Sequence, residues 1–388
     1  MKLNKEELKT ILVYTILIIP FLGVAYFSNY DFLIKILKIV SILTLTIFSF
    51  SKHNKIKINK MTLILLAFTI YNFIISLLNS TLSPGIAYSL YFQLIIIVFL
   101  QQTLSRKDYK FLDALKLAYS LAMILNIPSL ILQLTVSNYN RFFFLGGKNA
   151  IIQFALPTIF YNYISSYIKY GKLTNFSKIM IIISLVSPLI CGSTTGFLVA
   201  LLMSTSIALK NSSIINIRSL YIIYFIILFL LFNTELIESV AIVKDIIFNK
   251  FHKDLTFTGR TYIWEQSLQL IKNNPFGYGR GNNVLMHYFN NINECHNIFL
   301  QFLLDGGIPS LLFFVITSYY CNKNIKDDKK FIVKNEMLEF SRLSFFTFLF
   351  LGLTESVSYN INLWIFLAII NYLKYNNIEI TKINKRSI

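Results

Sequence analysis

His296 and Asn297 stand side by side where a polar stretch gives way to the apolar run that begins at Ile298. A histidine held at such a boundary can accept a proton from a hydroxyl, because its unperturbed pKa of about 6.5 suits base work near neutrality. The competing reading is a polar interfacial histidine that caps the next helix. Upstream lie Arg260 and Arg280, the second inside the turn Gly277-Tyr278-Gly279-Arg280-Gly281. A second outer loop, Arg141 to Ala150, holds Arg141 and Lys148. Arginine's planar fork binds phosphate oxygens in pairs and can stabilise a departing diphosphate. These cations therefore form a candidate diphosphate clamp, unless they only snorkel to phospholipid headgroups.

Three more residues belong with this group. Asp305 falls about nine residues into an apolar run, where an ionisable group by default faces a cavity or a partner. It stays wet instead if the helix begins outside the lipid, as the following Gly306-Gly307 and Pro309 would allow. Trp264 either joins an interfacial aromatic belt or stacks on a bound ring. Glu355, in Thr354-Glu355-Ser356, reads as a boundary residue or a second acid or base. His287, Glu294, Cys295 and His296 are close in sequence, but adjacent residues point apart and no metal-ligand spacing matches. No metal and no other cofactor is expected.

The elements that must hold these residues are membrane helices. The chain has 388 residues, of which 55% are hydrophobic and 14% charged, with a mean hydropathy of +0.61. A soluble chain of this length carries about 25% charged residues. Apolar runs recur near 10–27, 33–50, 61–78, 86–100, 111–134, 150–168, 179–191, 196–208, 219–232, 297–321, 342–358 and 360–373. The longer ones match a hydrocarbon core of about 30 Å. The expectation is an all-α, polytopic bundle of twelve spans. The pairs at 179–208 and around Glu355 read equally as re-entrant hairpins. Pro20, Pro128, Pro157 and Pro188 fall within spans and imply kinks and not breaks.

Charge sets the orientation. Connections on one side hold eight Lys and Arg, and those on the other side, including both termini, hold twenty-five. By the positive-inside rule the termini are cytoplasmic and the long connection between the ninth and tenth spans is outside. The net charge of +18 is thus dispersed along one membrane face, which argues against nucleic acid as a partner. Cys191, Cys295 and Cys321 are too scattered for a disulfide framework or a zinc module. The first apolar run lacks a small-residue cleavage site and reads as a retained helix.

Three parts follow: 1–232 with nine spans, an extracytoplasmic loop over 233–296 bearing the candidate site, and 297–388 with three spans and a cytoplasmic tail. Within the loop, residues 235–254 have helical apolar spacing. A second helix over 259–273 would be N-capped by Thr258 and present Ile263, Trp264, Leu268 and Ile271 on one face. Asn274-Pro275 stops it, and the glycines that follow read as a flexible turn.

The order of these pieces resembles the bacterial O-antigen ligase and polysaccharide polymerase family: a long outer loop with Gly259-Arg260, then Trp264, then Asn274-Pro275-Phe276-Gly277-Tyr278-Gly279, then His296-Asn297 at the next span. The element Gly307-Ile308-Pro309-Ser310 is similar to the family's Gly-x-x-small element, with serine where glycine is usual. The stretch from Arg141 to Ala150 is also similar to members in which an arginine precedes a Gly-x-Asn element. Many ligases carry Ser-Arg-Gly at the short outer turn where this chain has Ser193-Thr194-Thr195-Gly196. The missing arginine leans towards a polymerase.

The resemblance implies a membrane glycosyltransferase that needs no metal and acts on undecaprenyl-diphosphate-linked oligosaccharide at the outer face of a bacterial cytoplasmic membrane. It implies catalytic roles for His296, Arg260 and Arg280, and substrate contacts from Arg141, Lys148, Asn297, Trp264 and Asp305. A chain-length regulator and a flippase are the implied partners. The rival readings are a ligase making one final transfer and a transporter of the same lipid-linked sugar. A transporter would place polar sites near mid-membrane on broken helices.

Overall fold

The computed structural model describes residues 4–51, 59–136, 142–208, 217–232, 260–290, 292, 294–323 and 332–375. Among them are thirteen α-helices: α1 (Lys5–Ile18), α2 (Asp31–Phe50), α3 (Lys60–Leu78), α4 (Pro84–Ser105), α5 (Lys110–Thr135), α6 (Ala150–Tyr170), α7 (Asn175–Ile190), α8 (Thr194–Ala208), α9 (Ile217–Phe232), α10 (Arg260–Asn273), α11 (Ile298–Asn322), α12 (Ile332–Leu351) and α13 (Asn362–Tyr375). Two short strands, β1 (Phe142–Phe143) and β2 (Gly146–Gly147), pair antiparallel just before α6. The expected helix at 235–254, the cap Thr258 and Arg141 lie outside the described residues.

Each apolar run has become a helix, and local signals explain several of their ends. Asn59 accepts from the Thr62 amide at 2.9 Å, and Ser83 caps α4 just ahead of Pro84, where a missing N–H costs nothing. α6 stops at Gly171, which is left-handed. By length and composition, five helical stretches among the described residues can cross a membrane: Ala25–Phe50, Lys60–Leu78, Pro84–Ser105, Lys110–Thr135 and Ile298–Asn322. α2 bares Ile36, Ile39, Leu43 and Ile47, a surface that suits lipid and not water. In contrast α13 is buried on every side from Asn362 to Lys374. It is therefore the centre of the bundle, packed against α4, α11 and α12.

Two boundaries differ from expectation. The first helix was expected over 10–27, but α1 ends at Ile18 and short 3-10 turns cover Ile19–Phe21 and Ala25–Tyr30. Pro20 opens the first of these turns, so it breaks the helix, while Pro128, Pro157 and Pro188 remain inside theirs. The eleventh run was expected over 342–358. Instead α12 begins at Ile332 and ends at Leu351, which places Glu355 in the turn to α13.

The fold's decisive irregularity is in α11. Gly307 takes φ 63° and ψ −164°, two residues before Pro309. Pro309 has no N–H for the Asp305 carbonyl, and the Ile308 N–H turns away from Leu304 to donate to Pro275 O at 2.8 Å. The two freed carbonyls find partners in the glycine-rich turn: Tyr278 N–H donates to Leu304 O at 2.8 Å and Gly279 N–H to Asp305 O at 2.7 Å. The turn read from sequence as flexible is in fact docked, because the broken helix offers acceptors that would otherwise be buried unpaired. A Cβ on Gly307 would strike the Pro275 carbonyl oxygen and the Phe276 backbone.

Gly307→Ala is accordingly expected to destabilise the protein by on the order of 2–4 kcal/mol. Thermal unfolding in detergent measures this. Gly147→Ala is the control: an added Cβ there meets nothing within 4 Å, and no drop is expected. An unchanged midpoint for Gly307→Ala would contradict the docking argument.

Candidate functional site

The backbone entering α11 is fixed from three elements. Trp264 on α10 donates its Nε1–H to Cys295 O at 2.9 Å, and Cys295 N–H donates to Gln301 Oε1 at 2.9 Å. His296 N–H donates to Ser356 Oγ at 3.1 Å. Asn297 then caps the helix: its Oδ1 accepts from the Phe299 and Leu300 amides at 3.0 and 3.2 Å. Its Nδ2 donates to Leu353 O at 3.1 Å. So held, His296 adopts φ 50°, a left-handed conformation uncommon outside glycine and asparagine. Its Nδ1 is buried without a hydrogen-bond partner among the described residues. A buried polar atom in that condition calls for an explanation, and a substrate hydroxyl is one.

Arg260, at the first turn of α10, donates to Glu355 Oε1 at 2.9 Å. The same oxygen accepts from Asn149 Nδ2 at 2.9 Å, and Asn149 Oδ1 accepts from Ser193 Oγ at 2.8 Å. A chain of four side chains thus joins the segment before α6, the turn before α8, the start of α10 and the turn before α13. Burial pushes the Glu355 carboxyl up, and Arg260's charge and hydrogen bond pull against that. His296 is lowered from 6.5, first by burial and then by the Arg260 charge. It is therefore neutral at pH 7, as a base must be.

This gives a pH prediction with a definite sign. Loss of activity on acidification, read from kcat/KM, is expected below pH 6.5, the ordinary value from which His296 is lowered. Arg260→Gln removes a positive neighbour, so the imidazolium is less disfavoured and the acid limb moves to higher pH. A limb that stays in place or moves down would contradict the coupling.

Arg280 belongs to a second cluster. It is only 7% exposed; its guanidinium lies 4.1 Å from the Tyr359 ring centre and donates to Gln93 Oε1 at 3.3 Å. Its backbone N–H donates to Ser76 Oγ at 2.8 Å. Burial weakens its hold on its proton, opposed by Tyr359 and Asp305. The guanidinium nevertheless stays charged, as arginine does in proteins. Asp305 accepts from Tyr359 Oη, Gln301 Nε2 at 2.9 Å and Asn282 Nδ2 at 3.0 Å. Of its two sequence readings, the buried one with partners holds.

A cavity of about 350 Å³ is lined by neighbours of both clusters, though neither by Arg280 nor by His296 itself. Ser89, Gln93 and Tyr359, which surround the Arg280 side chain, line it together with Ser356 and Glu294 beside His296. Aromatic and apolar wall comes from Phe21, Phe92 and Phe154. An anion near Arg280 and a hydroxyl near His296 could therefore occupy one space.

Of the residues singled out in the sequence, Arg260, Arg280, His296, Asn297, Trp264 and Asp305 gather here. Lys148 is half-buried in the turn before α6, next to the Asn149 that reaches Glu355. Asn297 and Trp264 spend their polar groups on backbone. Tyr359, Gln93, Ser89, Asn149 and Ser356 were missed as parts of the site, while Glu355, read as a boundary residue or a second acid or base, joins the Arg260 cluster. Of these six, only Glu355 left a sequence signal, a carboxylate between two apolar runs.

Residues 179–315 match the family model described as O-antigen ligase. The match begins in α7 and ends in α11, so it takes in Arg260, Arg280 and His296. No curated protein matches the chain.

Proposed function

We propose that this chain, a multi-pass membrane protein of the O-antigen ligase family, is a polysaccharide repeat-unit polymerase. It would move a glycan from undecaprenyl diphosphate to a hydroxyl of another lipid-linked repeat unit. The observation that carries this reading is a cavity lined both by partners of Arg280 and by neighbours of His296. Arg280 is a buried cation with no carboxylate in ion-pair contact among the described residues, a setting that favours an incoming anion.

In the proposed step the acceptor O–H gives its proton to neutral His296 as its oxygen bonds to the anomeric carbon. The bond from that carbon to the diphosphate breaks, and its electron pair leaves with the diphosphate. Arg280 and Arg260 offset the charge that develops, while Lys148 and Arg141 contact substrate at the outer mouth. Asn297 and Trp264 act through position, by fixing the backbone around His296. Asp305 orients Tyr359 beneath Arg280. The step consumes no nucleotide sugar and needs no metal.

The topology that suits this is twelve spans in a bacterial cytoplasmic membrane, with both termini cytoplasmic and 233–296 outside, as the twenty-five to eight distribution of cations favours. The three-part division at 232 and 296 goes with it. A chain-length regulator and a flippase are the proposed partners.

A polymerase is preferred to a ligase because the turn before α8 is Ser193-Thr194-Thr195-Gly196, without arginine. One observation favours transport, namely that α11 is broken beside a buried Asp305. Yet the freed carbonyls accept from the glycine-rich turn, so the break docks a loop and these two oxygens are not left to hold an ion. The experiment is purified protein in liposomes with a lipid-linked repeat unit as sole substrate. A ladder of products supports a polymerase. A single product that requires an added acceptor makes it a ligase, and movement across the bilayer with no new bond makes it a transporter.

A further inference from the structure

α2 contributes an unexpected group to the cavity. Lys38 is the eighth residue of this helix, inside the stretch Ala25–Phe50 that can cross a membrane. An ammonium at that depth is costly, and such groups face a cavity or a partner. Lys38 does line the cavity, as do Ser89, Gln93 and Tyr359 around Arg280. Its Nζ lies 5.9 Å from the centre of the Phe21 ring, a second lining residue. The nearby Asp31 is already paired with Lys35 at 2.5 Å. Among the described residues, no carboxylate is in ion-pair contact with Lys38.

The cavity's own acid enters from elsewhere. Glu294 lines it from the segment that carries His296, and Ser356, which accepts from the His296 N–H, from the turn before α13. Lys38, Gln93 and Ser89 come from α2 and α4. Positive charge and hydrogen-bond donors are thus supplied by the membrane helices, and the carboxylate by the outer segment. Phe21 and Phe92, stacked with ring centres 3.3 Å apart, give the wall beside Lys38 an apolar surface. A group that is anionic at one end and hydrocarbon at the other fits this combination.

Resting on the polymerase reading above, we propose that Lys38 is a second cationic ligand for the phosphate group of the lipid carrier, acting with Arg280 on one diphosphate. Lysine serves here as a point charge while arginine supplies the fork. The lipid would be recognised inside the bundle by a helix remote in sequence from the outer loop that holds His296.

The test is lipid binding by the full chain in phosphatidylcholine nanodiscs, with undecaprenyl diphosphate, uncharged undecaprenol and inorganic pyrophosphate as probes. Lys38→Gln is expected to weaken undecaprenyl diphosphate binding about ten-fold, the size of one charge-assisted hydrogen bond. It should leave undecaprenol binding and the thermal midpoint unchanged. Lys38→Arg should keep affinity within about three-fold, because the charge remains. Weakened binding of pyrophosphate as well would assign the lost contact to phosphate and not to the tail. Equal affinity of Lys38→Gln and wild type for undecaprenyl diphosphate would overturn the proposal. Equal weakening with undecaprenol would do the same, since it would mark a packing role. If wild type itself fails to prefer the diphosphate over undecaprenol, the polymerase reading falls, and this proposal falls with it.

Discussion

His296→Asn is expected to lower kcat/KM about a thousand-fold, within the range that general base catalysis contributes. Asparagine is the informative replacement because His296 has φ 50°, which asparagine tolerates better than alanine does. The backbone bonds at Ser356 and the Asn297 cap are then preserved, and the protein should melt at the wild-type temperature. The loss should fall on kcat, with KM for the lipid substrate nearly unchanged, because the imidazole acts on the acceptor proton and not on the diphosphate. A variant with more than about a tenth of wild-type activity would remove His296 from the chemistry.

Arg280→Lys is expected to cost about a hundred-fold in kcat/KM, comparable to losing one preorganised donor at a developing charge. The exchange keeps the charge, so a pure point-charge role would predict a mild effect. The structure argues otherwise, since the guanidinium is stacked on Tyr359 at 4.1 Å and bonded to Gln93. An ammonium cannot reproduce that plane or its fork. Arg280→Ala should be worse by a further factor, and Tyr359→Phe should be mild because the ring is retained. Near-wild-type activity of Arg280→Lys would show that the fork is not used.

Much of the helix pattern could be read from apolar runs because a membrane helix declares itself by length and composition alone. The positions of Arg260, Arg280 and His296 were likewise readable, since each is a costly polar group in an oily chain. What stayed hidden depends on long-range contact. Arg260 and Glu355 are 95 residues apart, and Arg280 and Gln93 are 187 apart, so no local spacing joins them. The glycine-rich turn was misread as flexible for the same reason. Its order comes from carbonyls that Gly307 and Pro309 free on another element. Pro20 shows the limit of a general rule: proline was tolerated within α5, α6 and α7 but ended α1, where a second turn at Ala25–Tyr30 took over. Lys38, inside the apolar run 33–50, was not singled out in the sequence, and only the fold places it at the cavity.

The proposed polymerase forms a glycosidic bond and releases undecaprenyl diphosphate as it does so. The most direct measurement follows both products together in proteoliposomes carrying a lipid-linked repeat unit, for wild type and His296→Asn. The account predicts one diphosphate lipid released per new bond in the wild type. It predicts neither product in the variant, although the variant still binds the lipid. Lipid-linked substrate that crosses the bilayer with no bond made, or bond formation that survives in His296→Asn, would contradict it.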